Sequence, residues 1–312
     1  MTDFEQLAER LRNWGRWGEA DQRGTLNLIG PEALLRGTQA VSAGKLFSLG
    51  LDFASDGPQQ PSAISRRFNP LLFVTDIFTP LNPAKPNVVF SDDVITMPLQ
   101  AATQWDALGH VHYNGTLYGG RDAKTVLGTR GASQCGIEHL AKPGIMSRGI
   151  LLDVARLYGV PRLPSDHVIS VDDMRRACAM GGVRPEMGDV VCVRTGHITH
   201  FTVDGNRPAF NGPAPGVGIE VAEWLHENEI SAIAADNVAV ESMSPAMLQS
   251  DYPLPFHLLT LTEMGMPLGE MWNFEELAQG CASDGRYSFL LSAPPLAITN
   301  AFGSPVNPLA LK

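Results

Sequence analysis

Residues 99–120 read LQAATQWDALGHVHYNGTLYGG, and this stretch holds the densest set of chemically useful side chains in the chain. Side chains of an extended backbone alternate in direction, so with residues 101–106 extended, Gln104 and Asp106 face one side and Trp105 the other. Gly109 permits a bend that returns His110 towards Asp106, and a carboxylate beside an imidazole makes half of a metal site. A plainer arrangement fits the same letters: Asp106 caps a turn while His110 packs on Trp105 or Tyr113.

The other half lies at residues 256–274, FHLLTLTEMGMPLGEMWNF. A helical run from His257 meets Gly265, a residue suited to the left-handed turn that ends helices, and residues 266–272 return as a short strand bearing Glu270. Helix out and strand back predicts that His257 and Glu270 meet. A carboxylate set among Met, Leu and Trp is costly to bury unless it is paired or holds a cation.

Outward from these stretches, five- and six-residue apolar runs bounded by turn residues predict buried strands at 149–154, 189–195, 230–235 and 287–292. Helices are predicted over 32–41, with Leu34, Leu35 and Val41 on the packed face, over 174–180 behind an N-cap at Ser170 and Asp173, and over 219–229. The first half, rich in Pro and Gly, reads as strands and loops. The class is α/β or mixed α+β, with a predominantly β core. Residues 212–218 (GPAPGVG) read as a plain loop, because Pro213 and Pro215 lack the N–H groups an anion would need. His197 and His200 are either a shared-ligand pair or a pocket wall, with a helix there disfavoured. Cys135 and His139 form at best a weak thiol/imidazole candidate.

The 312 residues show no linker or low-complexity break, so 1–312 is read as one domain. With 44% hydrophobic and 18% charged residues, a core of this size needs no structural metal. A formal charge of −10 without a basic cluster argues against nucleic acid. Neither a signal-peptide core near residues 1–13 nor an apolar run long enough to span a bilayer is seen, so no membrane role and a cytoplasmic address are expected. Cys135, Cys178, Cys192 and Cys281 form no CxxC pair and read as buried small apolar residues. Serine-hydrolase elbows and phosphate-binding glycine loops are absent from the sequence.

Residues 100–110 (QAATQWDALGH) resemble the HxGTHxDxPxH signature of the cyclase family of metal-dependent hydrolases, which includes bacterial kynurenine formamidase, isatin hydrolase and trans-dienelactone hydrolase. Thr103, Asp106 and His110 are in register with it. The His257 to Leu277 region, WGEADQRGTLNL at 17–28, VRTG at 193–196 and GSPVNP at 303–308 extend the likeness over nearly the whole chain. The resemblance implies a swivelling β/β/α domain with a β-rich core flanked by helices, assembled as a homodimer or homotetramer. It also implies a hydrolytic site with Mn2+ or Zn2+. Gln100 and Gln104 replace two signature histidines, Ala102 its Gly and Leu108 its Pro. Neutral amides there disfavour a two-zinc site and favour a single ion with oxygen-rich ligation, such as Mn2+.

The reading that results is a hydrolase that opens a lactone or cyclic amide of a small, ring-containing substrate. Asp106, His257 and Gln104 hold the ion, His110 and Glu270 move protons, and Trp105, Tyr113, Tyr118 and Phe256 wall the pocket. The same aromatics read equally well as core. Two alternatives stand beside it: an acyclic aryl-formamide or amide hydrolase, and a non-catalytic small-molecule binder with a degraded metal site.

Overall fold

The predicted strands at 149–154, 189–195 and 230–235, with the return strand of 266–272, form the parallel centre of one large sheet, and the strand at 287–292 joins it antiparallel. In the computed structural model, which describes residues 3–61 and 65–312, the strands are β1 (Leu46–Ser48), β2 (Gln104–Asp106), β3 (Met146–Asp153), β4 (Val190–Arg194), β5 (Ala232–Ala235), β6 (Leu268–Glu270), β7 (Ser288–Ser292), β8 (Gly303–Pro305) and β9 (Leu309–Leu311). Their order across the sheet is β1-β9-β7-β3-β4-β5-β6-β2-β8. From β3 to β6 neighbours run parallel, and the remaining pairs are antiparallel. Every residue of β4 and β5 is buried, as expected for central parallel strands covered on both faces.

Helix Val171–Gly181 begins with the reciprocal Ser170–Asp173 capping box and ends on Gly182 in the left-handed conformation. Helix Val221–Glu227 buries Ala222 and Leu225. Helix Pro31–Gln39 forms where predicted, but with a different face inward: Ala33 and Gly37 are buried while Leu35 is 57% exposed. A side chain at Gly37 would lie 2.9 Å from Leu290 Cδ1 and 3.0 Å from the backbone of Arg148, so the helix reaches the sheet only through small residues. Residues 199–202 form a short helix, against the expectation for that segment.

The glycine-rich segment at 212–218 is more than a loop. Gly216–Val217 is a short parallel strand against Val168–Ile169, and Val217 bridges Glu241. One continuous apolar core draws on residues from Phe4 near one end to Ala310 near the other. A long hairpin, Leu71–Pro80 with Val89–Thr96, carries exposed Leu72, Ile77 and Phe78 and follows directly on Arg66 and Arg67. No helix among the described residues is long and apolar enough to cross a membrane. Met1 and Thr2, part of the stretch read for a signal peptide, lie outside the described residues.

Candidate metal centre

Strand register brings the two halves of the site together. Glu270 of β6 stands opposite Gln104 of β2, and Asp106 is two residues further along the same face. Gln104 Nε2 donates to Glu270 Oε2 at 2.7 Å and to Asp106 Oδ1 at 3.2 Å. His257 enters from a turn, Pro255–His257, that continues as a π-helix over Leu258–Met264 and stops at Gly265 in the left-handed conformation. Gly265 is required there for space as well, since a Cβ would fall 2.5 Å from the ring of Tyr118. The chain then returns through β6, leaving His257 Nε2 3.2 Å from Glu270 Oε1 and 3.8 Å from Asp106 Oδ2.

Asp106, His257 and Glu270 are all buried, and one ligand atom from each lies within 4.8 Å of the others. Gln104 Oε1 and Asp106 Oδ2 are buried and lack a hydrogen-bond partner among the described residues. An orphaned carboxylate oxygen facing an imidazole is expensive unless a cation satisfies it, so the donor set fits a divalent ion. Burial, reinforced by Glu270, pushes the Asp106 carboxyl well above the usual carboxylate range, with His257 and Arg67 acting against it. His257 is held in the opposite sense. Burial disfavours its charge, but bonds to Glu241 and Glu270 overcome this and raise it to about 10.

Glu241 is the residue that sequence reasoning missed. Its Oε1 accepts from the His257 backbone N–H at 2.9 Å and from His257 Nδ1 at 2.6 Å, while Oε2 accepts from the Phe256 N–H at 3.3 Å. A carboxylate can only accept, so Nδ1 carries the hydrogen and Nε2 is turned towards Asp106 and Glu270. The available signal was a carboxylate after a short apolar run (VAVES, 238–242), the same signal that singled out Glu270. Asn237 fixes this loop, accepting from Val240 N–H at 2.7 Å and donating to Pro215 O at 2.7 Å.

The Cyclase family model matches residues 49–242. A crystal structure of a novel cyclase is 36% identical, with a TM-score of 0.87 over 97% of this chain and 100% of that one. The chain belongs to the cyclase family. Isatin hydrolase A from Ralstonia solanacearum shares the fold at 18% identity, with a TM-score of 0.63 over 85% of this chain and 91% of its own. An isatin hydrolase bound to the product analogue thioisatinate does so at 16%, with a TM-score of 0.65 over 91% and 99%. No curated protein matches the chain.

In this member of the family the Asp106–His257–Glu270 cluster borders a cleft of about 520 Å³, whose walls include Arg67, Pro98, His110, Val238, His257 and Glu270. His110 Nε2 is 3.7 Å from Asp106 Oδ1. Burial, with Arg67 and His257 as like charges, pushes its imidazole down to about 3, so it stands neutral at ordinary pH. Arg67 reaches within 4.0 Å of Glu270 Oε2. Gln100, the other glutamine at a signature histidine, lines a neighbouring cavity and packs on Gly303.

The four aromatics proposed as pocket walls are placed elsewhere. Trp105 is fully buried, donates to Ala293 O at 2.8 Å and meets Trp272 edge-on. Tyr113 bonds Glu263, Tyr118 bonds Asp21 at 2.9 Å, and Phe256 lies in the core. Cys135 is buried against Tyr118 O, its thiol pushed up to about 11 by burial, and His139 faces Glu138 instead. His197 bonds Phe210 O at 2.9 Å and His200 bonds Arg162, so neither is poised as a ligand. All four cysteines are free and buried.

Proposed function

We propose that the chain is a divalent-metal-dependent hydrolase that opens a lactone or cyclic amide of a small substrate. The observation that carries this reading is the buried Asp106–His257–Glu270 cluster, with Asp106 Oδ2 orphaned beside an open cleft. Proteins of the same fold described as isatin hydrolases and as a potential metal-dependent hydrolase with cyclase activity support it. Asp106, His257 and Glu270 would hold the ion, and rotation of the Gln104 amide by a half-turn would offer Oε1 as a further oxygen donor. The oxygen-rich set suits Mn2+, with Zn2+ as the competitor. An ion bound there supplies Lewis-acid polarisation of a carbonyl and acidifies water.

The chain's own residues supply the rest. Glu241 orients His257, and Gln104, in its unrotated orientation, braces both carboxylates. His110, neutral and at the cleft wall, accepts a proton at Nε2 and passes it to the leaving oxygen or nitrogen. Arg67 places positive charge where the product carboxylate forms. A cytoplasmic address and a homodimer or homotetramer belong to the same proposal, the latter to be checked by light scattering.

Elemental analysis of the purified protein, followed by a panel of lactones, cyclic amides and aryl formamides with and without chelator, tests the reading. The expected result is about one divalent ion per chain and ring opening abolished by chelation without unfolding. Full activity after exhaustive removal of metal would exclude it. Turnover confined to formamides would move the assignment to the acyclic class.

A further inference from the structure

A second chamber of about 400 Å³ adjoins the cleft and shares Ser65, Arg67, Val238, Met243 and Leu254 with it. Pro213, Pro245, Leu248 and Met271 line the chamber and not the cleft. The backbone at Met271 separates the two spaces. With a positive φ of 58°, it sends Glu270 to the ion-binding cluster and leaves Met271 in the chamber, pinned through Met271 N–H to Asn237 O at 2.9 Å and Thr103 Oγ1 to Met271 O at 2.6 Å. Such backbone strain in a non-glycine residue persists only where the surroundings over-determine it.

Three polar residues that line this chamber are already committed to the protein, while Gln60, Ser65 and Arg67 complete its polar lining. Gln59 Nε2 donates to Gln100 O and Ala101 O, Asn211 Nδ2 to Pro58 O and Arg207 O, and Ser244 Oγ accepts from Met247 N–H. An apolar guest therefore strands few polar groups. No aromatic ring is among the described lining residues, and the side chains that are there, Met243, Leu248, Leu254 and Met271, are flexible and aliphatic.

We infer that this chamber receives an alkyl arm of the substrate, which makes the substrate class a lactone or cyclic amide bearing a flexible aliphatic chain beside the scissile carbonyl. The chemistry at the end of the arm rests on the hydrolytic reading; the chamber itself does not. A flat fused ring fills it poorly, whereas an unbranched chain follows its methionine and leucine walls.

The test uses the full chain and two series of probes. Binding of 1-butanol to 1-octanol, followed by calorimetry, should tighten about fourfold per added methylene until the chamber is filled. Benzyl alcohol should bind more weakly than 1-heptanol. Leu248→Glu, on the outer wall, should flatten the series. With Mn2+ present, kcat/KM for γ-lactones bearing four- to eight-carbon side chains should climb by a similar factor per methylene. Affinity independent of chain length, or tighter binding of benzyl alcohol, overturns the alkyl chamber even if lactones are hydrolysed. The expected alcohol series with no hydrolysis of any lactone supports the chamber and overturns the hydrolytic reading instead.

Discussion

His110 and Glu241 touch the same cluster but make different demands on it. His110 faces the cleft at 3.7 Å from Asp106 and is neutral, so its removal should spare the ion and cost the proton transfer. His110→Ala is expected to keep near-stoichiometric metal and lose roughly two to four orders of magnitude in turnover; parallel loss of metal would make His110 a ligand. Glu241 acts through His257. Glu241→Gln should weaken the ion about 10- to 100-fold in a direct metal titration while the fold stays intact, and unchanged affinity would remove its orienting role. Glu270 was legible in the sequence because an ionisable residue in an apolar segment demands an explanation, although it read as a proton carrier and stands instead among the candidate ion ligands. Asp106 and His257 were legible from strand alternation and from the helix-and-return pattern. The aromatic wall was not, because Trp105 and Phe256 obey the same burial preference in a core as in a pocket.

At the scale of elements, strand prediction succeeded where apolar runs were continuous, since β3, β4, β5 and β7 begin and end within three residues of the predicted spans. Helix Pro31–Gln39 shows the limit: hydrophobicity pointed to Leu34 and Leu35, whereas close approach selected Ala33 and Gly37. The pairing of β2 with β6 left no local mark at all, being set by the sheet. The segment at 212–218 was underrated for a related reason, because its role is to let another backbone come near. A Cβ at Gly216 would lie 2.3 Å from the carbonyl carbon of Glu241. Gly216→Ala should therefore destabilise the fold by about 1–3 kcal/mol and loosen the ion with it. Gly128→Ala, with open space around the new methyl, should stay within about 0.5 kcal/mol of wild type. Equal stability of the two variants in urea titrations would show that the Glu241 loop tolerates displacement.

For the molecule as a whole, stability should carry a pH dependence seated away from the ion. Asp236 is buried beyond β5 and accepts from the Thr195 N–H, the Thr195 hydroxyl and the Gly196 N–H. Burial outweighs these bonds and raises its carboxyl from 3.8 to about 6. The native state thus holds this proton more tightly than the unfolded chain. Its contribution is present in full below the unfolded value and is lost as pH rises from about 4 to about 6, on the order of 3 kcal/mol. Urea titrations across that window should show wild type losing stability relative to Asp236→Asn; parallel profiles would place the titration elsewhere.

The bond between Gln104 and Glu270 closes a separation of 166 positions along the chain. Contacts of such sequence distance are entropically slow to form and are gained only when most of the intervening chain has been ordered. An ion offered to the unfolded chain meets Asp106 far along the chain from His257 and Glu270, which are themselves only 13 positions apart. The complete three-residue cluster is therefore a late product of folding, because Asp106 joins the local His257–Glu270 pair only once β2 has docked on β6.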